Sequence, residues 1–178
     1  YEFGIRGGYS GGGRTDYIGP SLDAGFRHSF PMLLGDSRLS YRVDLLRTEQ
    51  TDLPENLERH SLFVHTSLHP LYFFLLGSDW LGYVLSSIHF EIGIGGQWAF
   101  LDAREERGEY ETDLGLLWSL GGGLDVPLWD PDTGKTLWLN AVYRYEFGGF
   151  DRPADSQLDL NRHLVLIGLG WRVNGLLF

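Results

Sequence analysis

Along most of this chain apolar and polar residues alternate with a period of two, the spacing of a strand whose two faces meet different surroundings. Eight segments show it. In Tyr1–Ser10, Tyr1, Phe3, Ile5 and Tyr9 share one face, and Glu2, Arg6 and glycines take the other. In Ser21–Phe30, Leu22, Ala24, Phe26 and Phe30 oppose Asp23, Gly25, Arg27 and Ser29, with His28 a misfit on the apolar face. The third segment sets Leu39, Tyr41, Val43 and Leu45 against Ser40, Arg42 and Asp44; the fourth sets Leu62, Val64, Thr66 and Leu68 against Ser61, Phe63, His65, Ser67 and His69. The fifth, Ser87–Leu101, is the clearest: Ile88, Phe90, Ile92, Ile94, Trp98 and Phe100 face one way, His89, Glu91, Gly93, Gly95 and Gln97 the other. The sixth carries Leu114, Leu116, Trp118, Leu120, Leu124 and Val126 opposite Gly115, Ser119, Gly121, Gly123 and Asp125. The seventh sets Leu137, Leu139, Ala141, Tyr143, Tyr145 and Phe147 against Trp138, Asn140, Arg144 and Glu146. The last, His163–Phe178, alternates Val165, Ile167, Leu169, Trp171 and Val173 with Leu166, Gly168, Gly170, Arg172 and Asn174. Its apolar phase reaches the terminal Phe178 only if Asn174-Gly175 forms a bulge.

The connections between these segments are uneven. Those after the first, third, fifth and seventh are long and polar or acidic, including TEQTDLPENLE and AREERGEYETD, while those around Gly35-Asp36-Ser37 and WDPDTGK are short turns. One insertion breaks the alternation: PLYFFLLGSDWLGYVLSS, Pro70 to Ser87, is apolar all round at helical spacing, and its proline suits a helix's first turn. It reads as a short helix or re-entrant turn at a membrane interface. The alternative is that its front half prolongs the fourth strand and its back half begins the fifth.

Each alternating segment has about the 9–11 residues a tilted strand needs to cross a bilayer. No run is apolar enough for a spanning helix, because Gly77, Ser78, Asp79 and Gly82 interrupt the best candidate, Pro70–Leu85. The chain of 178 residues is one domain's worth, 1–178. Its 25 glycines, 6 Trp, 9 Tyr and 11 Phe sit oddly with a mean hydropathy of only -0.15. A barrel with an apolar outside and a polar inside explains both, since the average hides the difference between the faces. Cysteine is absent, which excludes disulfide and thiolate chemistry, and a net charge of -10 argues against nucleic acid as a partner. Tyr1 already begins a strand pattern, so the expectation is a mature or trimmed chain with no signal peptide.

The whole pattern, closing on an aromatic residue, resembles the eight-stranded bacterial outer-membrane barrels typified by the OmpA membrane domain and the OmpX and OmpW families. That resemblance is architectural and covers the full length. It implies an all-β fold, a closed eight-stranded antiparallel transmembrane barrel in the outer membrane of a Gram-negative bacterium. It also implies periplasmic termini, outer-membrane lipid and lipopolysaccharide as surroundings, and the barrel assembly machinery as a partner in biogenesis. Aromatic girdles are expected, with Tyr9, Trp98, Phe100, Tyr145 and Phe147 at the outer interface and Tyr1, Phe3, Phe30, Tyr41 and Trp171 at the inner one. A soluble lipocalin-like barrel is the structural rival, with the apolar stripes turned inward. Against it, those stripes hold the bulky side chains, while the small ones lie on the opposite face.

Turned this way, the barrel interior receives Glu2, Asp23, Asp44, Glu91, Asp125 and Glu146 together with Arg6, Arg27, Arg42, Arg144 and Arg172. Acids and bases nearly balance, which predicts a salt-bridged plug with no wide pore; a narrow channel is the alternative. His65, His69, His89 and Glu91 fall on facing inner stripes, a loose metal-like cluster against which a hydrogen-bonded network is the simpler reading. His65-Thr66-Ser67 with Glu91 looks like the His-x-Ser arrangement of outer-membrane lipid A deacylases, although here the pair should face the lumen. Asp130-Pro131-Asp132-Thr133-Gly134 opens like a calcium loop but lacks the downstream carboxylates and reads as a turn. Nothing calls for a cofactor or a resident metal. The acidic run Glu105, Glu106, Glu109, Glu111 and Asp113 is a solvated loop, with lipopolysaccharide phosphates bridged by divalent cations or a protein partner as its other uses. The expectation is thus a non-enzymatic structural, anchoring or interaction component, with a lipid A esterase-type hydrolase as the enzymatic alternative.

Overall fold

A computed structural model describes residues 1–12, 17–30, 35–49, 55–77, 80–101, 111–129, 135–150 and 161–173. They form eight strands: β1 (Glu2–Gly11), β2 (Gly19–Ser29), β3 (Gly35–Arg47), β4 (Asn56–Leu68), β5 (His89–Leu101), β6 (Glu111–Pro127), β7 (Lys135–Phe150) and β8 (Arg162–Val173). Every strand pairs antiparallel with its sequence neighbours, and β1 pairs with β8, so the sheet is a closed barrel. Closure places Glu2 opposite Arg172 and Phe3 opposite Trp171, and the Tyr1 ammonium donates to the Val173 carbonyl at 3.0 Å. Among the described residues no strand edge is left unpaired.

The period of two holds through the strands. On β5, Phe90 and Ile92 are 64% and 62% exposed while Glu91 between them is buried, as is Gln97 further along the same inner stripe. The usual order of a protein is inverted, for the largest fully buried side chains are headed by Arg42, Arg59, Arg144 and Arg162, and the exterior carries Leu, Ile, Val and aromatics. That rules out the lipocalin-like orientation, whose apolar stripe would point inward. Apolar lumen residues fill the rest of the interior, among them Phe63, Leu117, Leu164 and Leu166. Lumen glycines leave room for the large ones: a Cβ on Gly93 would lie 2.3 Å from His65 Nδ1, and one on Gly168 would lie 2.1 Å from the Ile5 carbonyl oxygen.

Antiparallel order puts the connections 12–18, 48–55, 102–110 and 151–161 at one end, called here the loop end. Connections 30–34, 69–88 and 128–134 lie at the other, the turn end, with Tyr1 and Val173. The insertion is helical, as expected of its spacing, but in two pieces: a 3-10 turn (Tyr72–Gly77) and helix α1 (Trp80–Ser86). The possible calcium-like turn, the bulge at Asn174-Gly175 and Phe178 lie outside the described residues.

Two expectations about the exterior change. His28 is no misfit, since its ring stacks on Tyr1 at 4.9 Å and meets Phe30 edge-on, joining an aromatic cluster at the turn end. Tyr41 leaves the inner girdle: its hydroxyl lies 2.5 Å from His60 Nδ1, and its ring sits 6.1 Å from Trp98, a member of the loop-end girdle. The tilt of the strands brings a mid-strand residue of β3 diagonally beside the loop-end half of β4 and β5.

Candidate functional site: an ionised lumen

All eleven charged residues expected inside point into the lumen, and Asp36, Arg38, Arg59 and Arg162 join them. An unpaired ion in such a space costs several kcal/mol of lost hydration, so pairing has to be extensive. The pairs form three networks along the barrel axis.

At the turn end Arg27 is the hub, 2.6 Å from both Asp125 and Asp36 and 3.6 Å from Glu2. Arg172 bridges Glu2 at 2.7 Å and Asp125 at 3.0 Å, with its guanidinium 3.9 Å over the Trp138 ring. Asn140 donates to Asp125 at 2.7 Å, and His69 Nε2 lies 2.7 Å from Asp36. In the middle, Arg6 and Arg38 donate to the same oxygen of Asp23, from Nη2 at 2.8 and 2.9 Å. Arg144 clasps Glu91 through Nε and Nη2 and stands 3.7 Å from Asp23. Toward the loop end Arg42 holds both oxygens of Glu146, with Nη2 at 2.6 Å, and its guanidinium lies 5.3 Å over Phe63. Arg59 joins Asp44 at 2.6 Å, Glu146 at 3.0 Å and Gln97 at 3.2 Å. Arg162 stands 3.9 and 4.0 Å from those two carboxylates.

Charge is uneven between the networks. The turn-end network has Glu2, Asp36 and Asp125 for Arg27 and Arg172, whereas the middle one has Asp23 and Glu91 for Arg6, Arg38 and Arg144. Each offsets the other, so the two are electrostatically one unit. A void of about 10 Å³ lies between them, lined by Arg6, Arg27, Asp36, Arg38, Glu91 and Asp125. Arg38 Nε, Asp36 Oδ1 and Asn140 Oδ1 have no protein partner, and a space of this size and polarity suits a single water.

The four missed charges have one cause. In the linear pattern Asp36 belongs to a turn and Arg162 to the last loop, and Arg38 and Arg59 precede the first residues of the third and fourth alternating segments. The signal was present, because Asp36 and Arg38 continue the phase of Ser40 and Arg42, Arg59 that of Ser61, and Arg162 that of Leu164.

The histidines do not converge. The His69 and His89 rings are 5.3 Å apart, but His69 is taken by Asp36 and His89 Nδ1 by the Ser87 carbonyl at 2.9 Å. His65 faces Gly93, stacks on Phe63 and lies 3.3 Å from Ser119 Oγ, while Glu91 is held by Arg144. Among the described residues no group of three or more His, Asp or Glu is disposed to hold a metal ion. The His-x-Ser pair is also undone, since His65 turns to Ser119, and both His65 and Ser67 are buried in the lumen, away from the outer surface.

No protein-family model matches the chain, and no curated protein sequence matches it. Among solved structures it is similar to Neisserial surface protein A, 13% identical, with 98% of this chain and 96% of that one covered and a TM-score of 0.54. It is also similar to Ail, the attachment invasion locus protein of Yersinia pestis, 17% identical over 96% of this chain and 97% of that one, with a TM-score of 0.49. At such identities the likeness is one of fold: the chain is a closed eight-stranded antiparallel barrel of the kind seen in Neisserial surface protein A.

Proposed function

We propose that this chain is an integral outer-membrane barrel of a Gram-negative envelope, a structural, anchoring or interaction component with periplasmic termini and a lumen sealed to solutes. One observation carries the reading: the exterior is apolar around the whole barrel while the interior is ionised and paired. Water would oppose that exterior, whereas hydrocarbon accepts it and demands the full backbone pairing that closure supplies. Lipid and lipopolysaccharide then cover the belt, the assembly machinery inserts it, and the acidic loop-end connections offer sites for divalent cations or protein partners.

The experiment is purification from membranes. The protein should require detergent, migrate faster on gels unheated than boiled, and give no large-conductance steps in planar bilayers. A detergent-free soluble monomer would overturn the architecture, and large stable conductance would overturn the sealed lumen. Lipid A mass spectra from cells with and without the protein should be identical; a lost acyl chain would establish the hydrolase instead.

A further inference from the structure

At the turn end the barrel exposes a second apolar surface that the strands do not account for. Tyr72, Phe73, Phe74, Trp80 and Leu81, in the β4–β5 connection, are 38–57% exposed, and Leu128 and Trp129 after β6 are 46% and 60% exposed. Asp79 is the one charged residue from Pro70 to Ser87.

This surface is fixed to the barrel rim. Trp80 Nε1 donates to the Pro127 carbonyl at 3.2 Å, Ser87 Oγ donates to the Asp125 carbonyl at 2.6 Å, and the Asp125 amide donates back to Ser87 Oγ at 2.9 Å. His69 Nδ1 lies 3.2 Å from the Ser86 carbonyl. Helix α1 buries Gly82 and Ser86 against the barrel side, while Trp80 and Leu81 keep more than half of their surface exposed.

The β5 stripe from Phe90 to Phe100 by itself spans about the 25 Å apolar band of a membrane barrel. The connection therefore lies past the hydrocarbon, at headgroup depth, where Tyr and Trp partition and where an apolar, nearly uncharged surface continuous with the lipid belt is stable. We propose that the 3-10 turn Tyr72–Gly77 and helix α1, with Leu128–Trp129, form a one-sided interfacial anchor, seated among the phospholipid headgroups and upper acyl chains of the leaflet at the turn end. It serves only the β4–β7 sector of the barrel, so it sets depth and tilt there. The inference rests on the membrane reading above.

The chain lacks cysteine, which makes single-cysteine labelling clean. Phe73→Cys, Leu81→Cys, Ile92→Cys and Glu49→Cys variants, each carrying a small environment-sensitive fluorophore, are refolded into phosphatidylcholine–phosphatidylglycerol bilayers and checked for heat-modifiable migration. Lipids bearing a nitroxide at the headgroup or near the acyl-chain end, and aqueous iodide, serve as quenchers. Labels at 73 and 81 should be quenched about twofold more by the headgroup nitroxide than by the deep one, and should resist iodide, as interfacial placement requires. Iodide quenching at 73 and 81 equal to that at 49, with no lipid quenching, would overturn the anchor and leave the surface to a protein partner. Loss of deep quenching at 92 would instead overturn the membrane reading itself.

Discussion

Arg144 shows what a single residue does in this interior. It is fully buried and clasps Glu91, so Arg144→Leu leaves that carboxylate without its counter-ion, while Asp23 keeps Arg6 and Arg38. Breaking a buried pair this way costs about 3–5 kcal/mol, read as a lowered urea midpoint in detergent or lipid. An unchanged midpoint would mean that Glu91 is solvated. Glycine supplies a sharper contrast. Gly93 faces His65 and Ser119, where a Cβ would lie 2.3 and 2.5 Å from their polar atoms, whereas a Cβ on Gly96 meets nothing within 4 Å. Gly93→Leu should block folding or cost at least about 1–3 kcal/mol by overpacking, and Gly96→Leu should be neutral in lipid. Equal effects at the two sites would show that the faces of β5 are misassigned.

At the scale of the strand, the alternation makes depth and face separately testable. Ile92 is central on β5 and exposed on the outer stripe between Phe90 and Ile94. Ile92→Arg should cost about 2–4 kcal/mol on folding into a bilayer, and Trp98→Arg, nearer the loop end, should cost less through charge burial. If both cost the same, the stripe does not sample a depth gradient. Strand ends were harder to place than strand faces. Period two continues a few residues past the point where polar loop composition begins, so Arg162 reads as loop and Arg59 falls just outside the alternating segment, while both side chains are inside.

Taken whole, the barrel is a closed sheet wrapped around an ion-pair core. Salt screens exposed charges over about 10 Å at 0.1 M ionic strength but reaches buried pairs poorly. Raising sodium chloride from about 0.1 to about 1 M should therefore leave the unfolding midpoint nearly unchanged, even with the networks carrying the interior. A steep loss of stability with salt would mean that the lumen is open to electrolyte, and the narrow-channel alternative would then gain support.

Faces, strand number and the helical insertion were legible in the linear sequence because each depends on local periodicity: whether Glu91 points opposite to Ile92 is decided within two residues by the pleat. Pairing was not legible, because it depends on how far the strands stagger when the sheet closes. Arg42 stands across β2 and β3 from Asp23, yet it clasps Glu146, 104 residues away on β7. Arg27 likewise reaches Asp125 across 98 residues, and His65 turns to Ser119 although Ser67 is nearer along the chain. Long guanidinium side chains in a narrow lumen span it, so their partners are set by barrel stagger and width, quantities that exist only once all eight strands are in place.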